Sequence, residues 1–243
     1  MKRQIPFLLI VLFFLVNSTG IFAEYSSQKN IFLSFIPSTY GISESLGSGY
    51  GFGEGTNLAK DTLLETGANS SKVTGNELWQ VDIFAQWSMG TKFGVVLNFS
   101  VGPLPFAVLG YNADGEAVEG LSYSYLNMDI AALLSYNISS RGGIISTRAG
   151  PLLGFRLGNG QVILKSEDII SKYTVPGDQM LNASLGGIIG TGYALAVGSG
   201  FIDFGLKVTY HYSSVQGFLT TEAIPVNIIT PSISIGYSLR GKK

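Results

Sequence analysis

Residues 201–212 alternate without a break: Ile202, Phe204, Leu206, Val208, Tyr210 and Tyr212 take the even positions, and Asp203, Gly205, Lys207, Thr209 and His211 the odd ones. A period of two marks a strand with one apolar and one polar face. In residues 77–89, Trp79, Val81, Ile83, Ala85 and Trp87 share one face, opposite Gln80, Asp82, Phe84, Gln86 and Ser88. Residues 93–101 repeat it, with Phe93, Val95, Leu97 and Phe99 against Gly94, Asn98 and Ser100. After the N-terminal block, Gly, Ser, Asn or a charge interrupts every apolar run, so none approaches the ~20 apolar residues of a spanning helix. Only helices and closed barrels cross a membrane, because every backbone polar group must be satisfied internally. The pattern therefore predicts strands that present apolar residues to lipid and small or polar ones to a lumen.

Five further segments follow the rule: residues 31–37, 126–138, 145–157, 181–197 and 227–239. The total is eight, an even number that suits an all-β, antiparallel up-and-down transmembrane barrel. Short turns are expected near Gly90-Thr91, Ser139 to Gly142 and Gly198 to Gly200, alternating with long connections at 39–76, 107–120, 158–179 and 213–225. Strict long–short alternation is the outer-membrane pattern, with short turns in the periplasm and long loops outside. Under that topology Trp87, Phe93, Tyr136, Tyr193 and Tyr237 fall near the periplasmic side, and Trp79, Phe155, Tyr210 and Tyr212 near the outer side. Aromatic rings at both ends are what membrane interfaces favour.

The N-terminus reads as a secretory signal peptide: Lys2 and Arg3, an apolar block from Ile5 to Val16, then a polar, small-residue stretch to Ala23. Cleavage after Ala23 leaves residues 24–243 as the barrel domain. A retained signal anchor is the competing reading, weakened by the shortness of the apolar block. The cleaved part removes two bases and no acids, so the mature charge is 13 − 16 = −3, which gives no electrostatic case for nucleic acid. The chain has no cysteine, so neither a lipid-anchoring cysteine nor a disulfide framework is available.

The inward charges are the candidate site: Asp82, Asp129, Arg148 and Lys207 near the middle of the membrane, with Asp203, Arg156 and His211 nearer the ends. An eight-stranded barrel is just wide enough for side chains to fill, and an unpaired buried charge costs several kcal/mol. A polar plug of paired charges is therefore expected; the alternative is a constriction in a narrow pore. A turn centred near Ser139-Ser140 would set Asp129 close to Arg148, predicting an ion pair between them. The glycines Gly47, Gly49, Gly51, Gly53 and Gly55 miss the spacing of a phosphate-binding loop and read as a flexible first loop.

The stretch 126–136, the run Arg148-Ala149-Gly150-Pro151-Leu152-Leu153-Gly154 and the closing segment 232–239 resemble the eight-stranded outer-membrane barrels of the PorT-like family. More distantly they resemble the OmpA and OmpX barrels. The resemblance implies outer-membrane lipid and the barrel-assembly machinery as partners, with a structural or binding role for the outer loops. No cofactor and no catalytic centre is expected, and a monomer is. One enzymatic alternative rests on His211, Ser213 and Glu222, an arrangement similar to lipid A deacylases; it needs His211 to face lipid, whereas the parity turns it inward.

Overall fold

The computed structural model describes residues 37–89, 92–166, 169–176, 183–215 and 224–241. They form ten strands and one helix: β1 (Thr39–Phe52), α1 (Glu54–Glu65), β2 (Ser70–Thr74), β3 (Asn76–Met89), β4 (Phe93–Tyr111), β5 (Ala117–Ser140), β6 (Gly143–Ser166), β7 (Ile169–Val175), β8 (Ala183–Val197), β9 (Gly200–Val215) and β10 (Ile224–Arg240). Eight of them close into an antiparallel ring, in the order β1, β3, β4, β5, β6, β8, β9, β10 and back to β1. No helix among the described residues is long and apolar enough to cross a membrane.

Seven predicted strands match members of the ring. The predicted first strand does not. Residues 31–36 of it lie outside the described residues, and the place in the ring is taken by Thr39–Phe52. The supposed flexible loop is therefore largely ordered structure. Gly41, Gly47, Gly49 and Gly51 all lie on the inner face of β1, where the neighbouring strands leave no room for a side chain. A Cβ on Gly49 would sit 1.9 Å from the Pro105 carbonyl oxygen.

Among the described residues, the connections 107–120 and 158–179 are likewise mostly strand. β4 and β5 run on to a tight turn at residues 112–116, where the Asn112 side chain accepts from the backbone N–H groups of Asp114 and Glu116. β6 continues to Ser166 and pairs with β7. The β3–β4 ladder stops at Val81↔Val101, and β2 resumes it at Thr74↔Ala107. Pro103 and Pro105 lie in the gap, which suits residues with no N–H to donate. At the opposite end the turns are short, and positive φ angles at Gly142 and Gly198 let two residues reverse the chain.

Side-chain direction divides the ring into an apolar exterior and a layered interior. Leu206, Ile233, Ile235, Leu134, Ile189 and Leu185 each expose more than half their surface on the outside. Inside, the long-loop end holds an apolar core: Leu104, Phe106, Val108, Leu121, Tyr123, Tyr125, Val226 and Ile228, closed by Ala59 and Leu63 of α1. Ala59 and Leu63 are one helical turn apart and so share a face; both are fully buried. A second apolar layer of Phe84, Val96, Ala131, Leu133, Leu152 and Ile188 fills the short-turn half. Asp82, Asp129, Lys207 and His211 lie between the two, and Arg148 and Asp203 nearer the short turns.

Candidate functional site: the polar belt

Lys207 on β9 reaches across the lumen to Asp82 on β3, with Nζ 2.8 Å from each carboxylate oxygen. The same carboxylate accepts from Ser45 at 2.7 Å, Ser100 at 2.6 Å and Asn98 at 3.3 Å. Lys207 donates once more, to Gln80 Oε1 at 3.1 Å. Gln80 in turn donates to Asp129 at 3.3 Å, and Asn127 also bonds Asp129. His211 Nε2 stands 3.6 Å from the other side of this group, at Asp129 Oδ2. Four of the seven charges predicted to face inward, Asp82, Asp129, Lys207 and His211, are thus joined into one network with Ser45, Gln80, Asn98, Ser100 and Asn127.

The expected Asp129–Arg148 ion pair is not formed. The β5–β6 hairpin turns at Arg141-Gly142, with Ser140 opposite Gly143, so Asp129 faces Gly154 and Arg148 faces Ser135. That puts six residues of strand, roughly 20 Å at ~3.3 Å per residue, between the two charges. Arg148 instead lies 5.2 Å over the Phe84 ring, towards the short turns. It shares a cavity of about 90 Å³ with Asp203. Arg156 and His211, placed nearer the ends by the sequence, belong with the belt. Arg156 stacks 3.9 Å over Tyr125 and reaches Ser213 at 3.4 Å.

The deacylase-like reading fails on orientation. His211 faces the lumen and is 2% exposed. The Ser213 hydroxyl is shared with Tyr125 at 2.6 Å and Arg156, and Glu222 lies outside the described residues. Another serine, Ser184, is 3.5 Å from His211 Nδ1. That contact and the 3.6 Å to Asp129 both exceed the ~3.2 Å reach of an activated nucleophile, and the group is enclosed by the two apolar layers. Of the residues that sequence reasoning left out of the site, Gln80, Asn98, Ser100 and Asn127 carry one usable signal, a polar side chain at an inward position, whereas Ser45 lies in a segment read as a loop.

No family model matches the sequence, and no curated relative matches it. Solved structures to which the chain is similar include Ail, the attachment invasion locus protein of Yersinia pestis (11% identity, 84% of this chain and 100% of that chain, TM-score 0.38). Neisserial surface protein A matches at 12% identity over 84% of this chain and 97% of its own, with a TM-score of 0.40. The outer membrane protein OprG of Pseudomonas aeruginosa matches at 10% identity over 86% and 98%, with a TM-score of 0.47. Identities this low say nothing of what the chain binds.

Proposed function

We propose that the chain is an integral outer-membrane protein whose long-loop end, rather than its lumen, carries a structural or binding role. One observation carries the reading: a closed ring whose outward side chains form an apolar band, broken among the described residues only by Glu44, while Asp82, Asp129, Arg148, Arg156, Lys207 and His211 point inward. In water that exterior would be a very large exposed apolar surface; in a bilayer it is the expected lipid face. Short turns then face the periplasm, the N-terminal segment serves as a cleaved export signal, and the barrel-assembly machinery inserts the chain. Kinship with PorT-like barrels is part of this proposal.

A conducting pore is disfavoured by the layering, since α1 closes one end and the belt fills the middle. An enzymatic role is disfavoured because Ser45 and Ser100 donate to the Asp82 carboxylate and the Ser213 hydroxyl is shared with Tyr125 and Arg156. The experiment is refolding into lipid vesicles followed by flotation and protease treatment. Co-flotation with cleavage confined to the long-loop end supports the reading. A protein that is soluble without detergent and does not float overturns it.

A further inference from the structure

Glu44 is exposed on the outer face of β1, paired with Ile235 of β10 and Val81 of β3. Among the described residues it is the only charged side chain on the outward face between the two aromatic girdles. Its depth follows from its own strand. Tyr40 lies four residues below it and Tyr50 six above, or about 10 Å and about 15 Å along the membrane normal at ~3.3 Å rise and ~40° tilt. Glu44 therefore sits close to the bilayer midplane. An ionisable residue there points to a partner that satisfies it.

The same place is concave. A groove of about 690 Å³ crosses the outer wall from β1 to β8, touching Ile145 of β6 beyond it. Glu44 stands at its β1 end and Thr191 at its β8 end, while Phe204, Leu206, Ile233 and Ile235 of the two intervening strands form the middle. Thr191 is two residues above Tyr193, and Glu44 four above Tyr40. The two differ in height by only about 5 Å at the same rise and tilt. One flank thus offers an acceptor and the other a hydroxyl donor, equally spaced about the β9–β10 seam. A surface is self-complementary about a two-fold axis when one flank fits the other in this way.

We propose that this wall is the interface of a symmetric homodimer, with the axis along the membrane normal between the two β9–β10 seams, each Glu44 accepting from Thr191 of the second copy, and Leu206 and Ile233 packed at the centre. Thr191 now donates to the Ser146 carbonyl oxygen at 3.1 Å, and a χ1 rotation redirects it. The inference rests on the membrane reading above and departs from the monomer that the sequence suggests.

The chain has no cysteine, so single cysteines report contacts cleanly. In phosphatidylcholine vesicles at high lipid dilution, Leu206→Cys and Ile233→Cys should form disulfide-linked dimers, and Leu134→Cys on the far wall should not. Adding Glu44→Leu should cut the linked fraction about tenfold, the scale of hydrogen bonds lost between membrane segments, without impairing insertion; Glu44→Gln should largely keep it. Vesicle-inserted protein that gives no Leu206 or Ile233 dimer, links equally through Leu134→Cys, or is indifferent to Glu44→Leu overturns the dimer alone. So does a monomer that carries a co-purified lipid in native mass spectrometry. Failure to float with the vesicles overturns the membrane reading and the dimer with it.

Discussion

Removing either member of the Lys207–Asp82 pair should destabilise the barrel, and by unequal amounts. The side chains are only 14% and 5% exposed, so solvent screening takes little from the interaction. Breaking a buried pair by deleting one partner costs about 3–5 kcal/mol, because the other charge is left uncompensated. The structure distinguishes the two deletions. Asp82→Ala leaves the ammonium with a single acceptor, Gln80 Oε1. Lys207→Met leaves the carboxylate with three donors, from Ser45, Ser100 and Asn98. Hydrogen bonds to a charged group are worth about 1.5–3 kcal/mol each before desolvation is counted, so these donors offset part of the loss. Asp82→Ala should cost about 4 kcal/mol and Lys207→Met about 2, with the double mutant losing clearly less than the sum. Urea titration in micelles, followed through the fluorescence of Trp79 and Trp87 on the same strand as Asp82, measures all three. Strict additivity, or a larger loss for Lys207→Met than for Asp82→Ala, would refute the reasoning.

In the same assay Asp129→Ala and Arg148→Ala should add to within about 0.5 kcal/mol, since distant sites without shared partners are independent; a coupling above that would restore the discarded pair. Ile189, 59% exposed on the outer face and four residues above Tyr193, should cost about 2–4 kcal/mol as Ile189→Arg in vesicles, while Ile189→Leu is tolerated; equal tolerance would contradict the facing of β8. Gly49→Ala should lose about 1–3 kcal/mol through overpacking against the Pro105 carbonyl, and a neutral result would show that β1 is not held against β4. Replacing residues 54–65 by a Gly/Ser linker should leave planar bilayers free of conductance steps, because the belt and the lower apolar layer still fill the lumen; steady open channels would show that α1 alone seals it.

The sequence shows strands wherever the outward face is an unbroken apolar row. Phe201 to Tyr212 and Trp79 to Trp87 are legible because nothing interrupts their outward faces. β1 is not, because Glu44 breaks its apolar face and the inward glycines, required by close neighbours, look like a flexible loop. The extensions of β4 and β5 are hidden for another reason: Leu104 to Val108 are buried on both faces, so the alternation disappears although the strand continues. Parity placed every site charge inward, but which charges meet depends on register and on contacts across the lumen. A turn at Arg141-Gly142 instead of Ser139-Ser140 moves each partner by four residues and leaves the parity intact. Asp82 and Lys207, on strands that are not neighbours in the ring, carry no local signal at all.

The central claim is that neighbouring residues of one strand face lipid and lumen in turn. Ile83 is 46% exposed and Phe84 is 6% exposed, so they test it as a pair. In a background with Trp79 and Trp87 replaced by Phe, Ile83→Trp and Phe84→Trp place a single fluorophore on either side of the wall. In vesicles of lipids brominated deep in the acyl chains, emission from the Ile83→Trp protein should be strongly quenched, and that from Phe84→Trp should match unbrominated vesicles. Equal quenching of the two, or none for Ile83→Trp in protein that has inserted, would contradict the account.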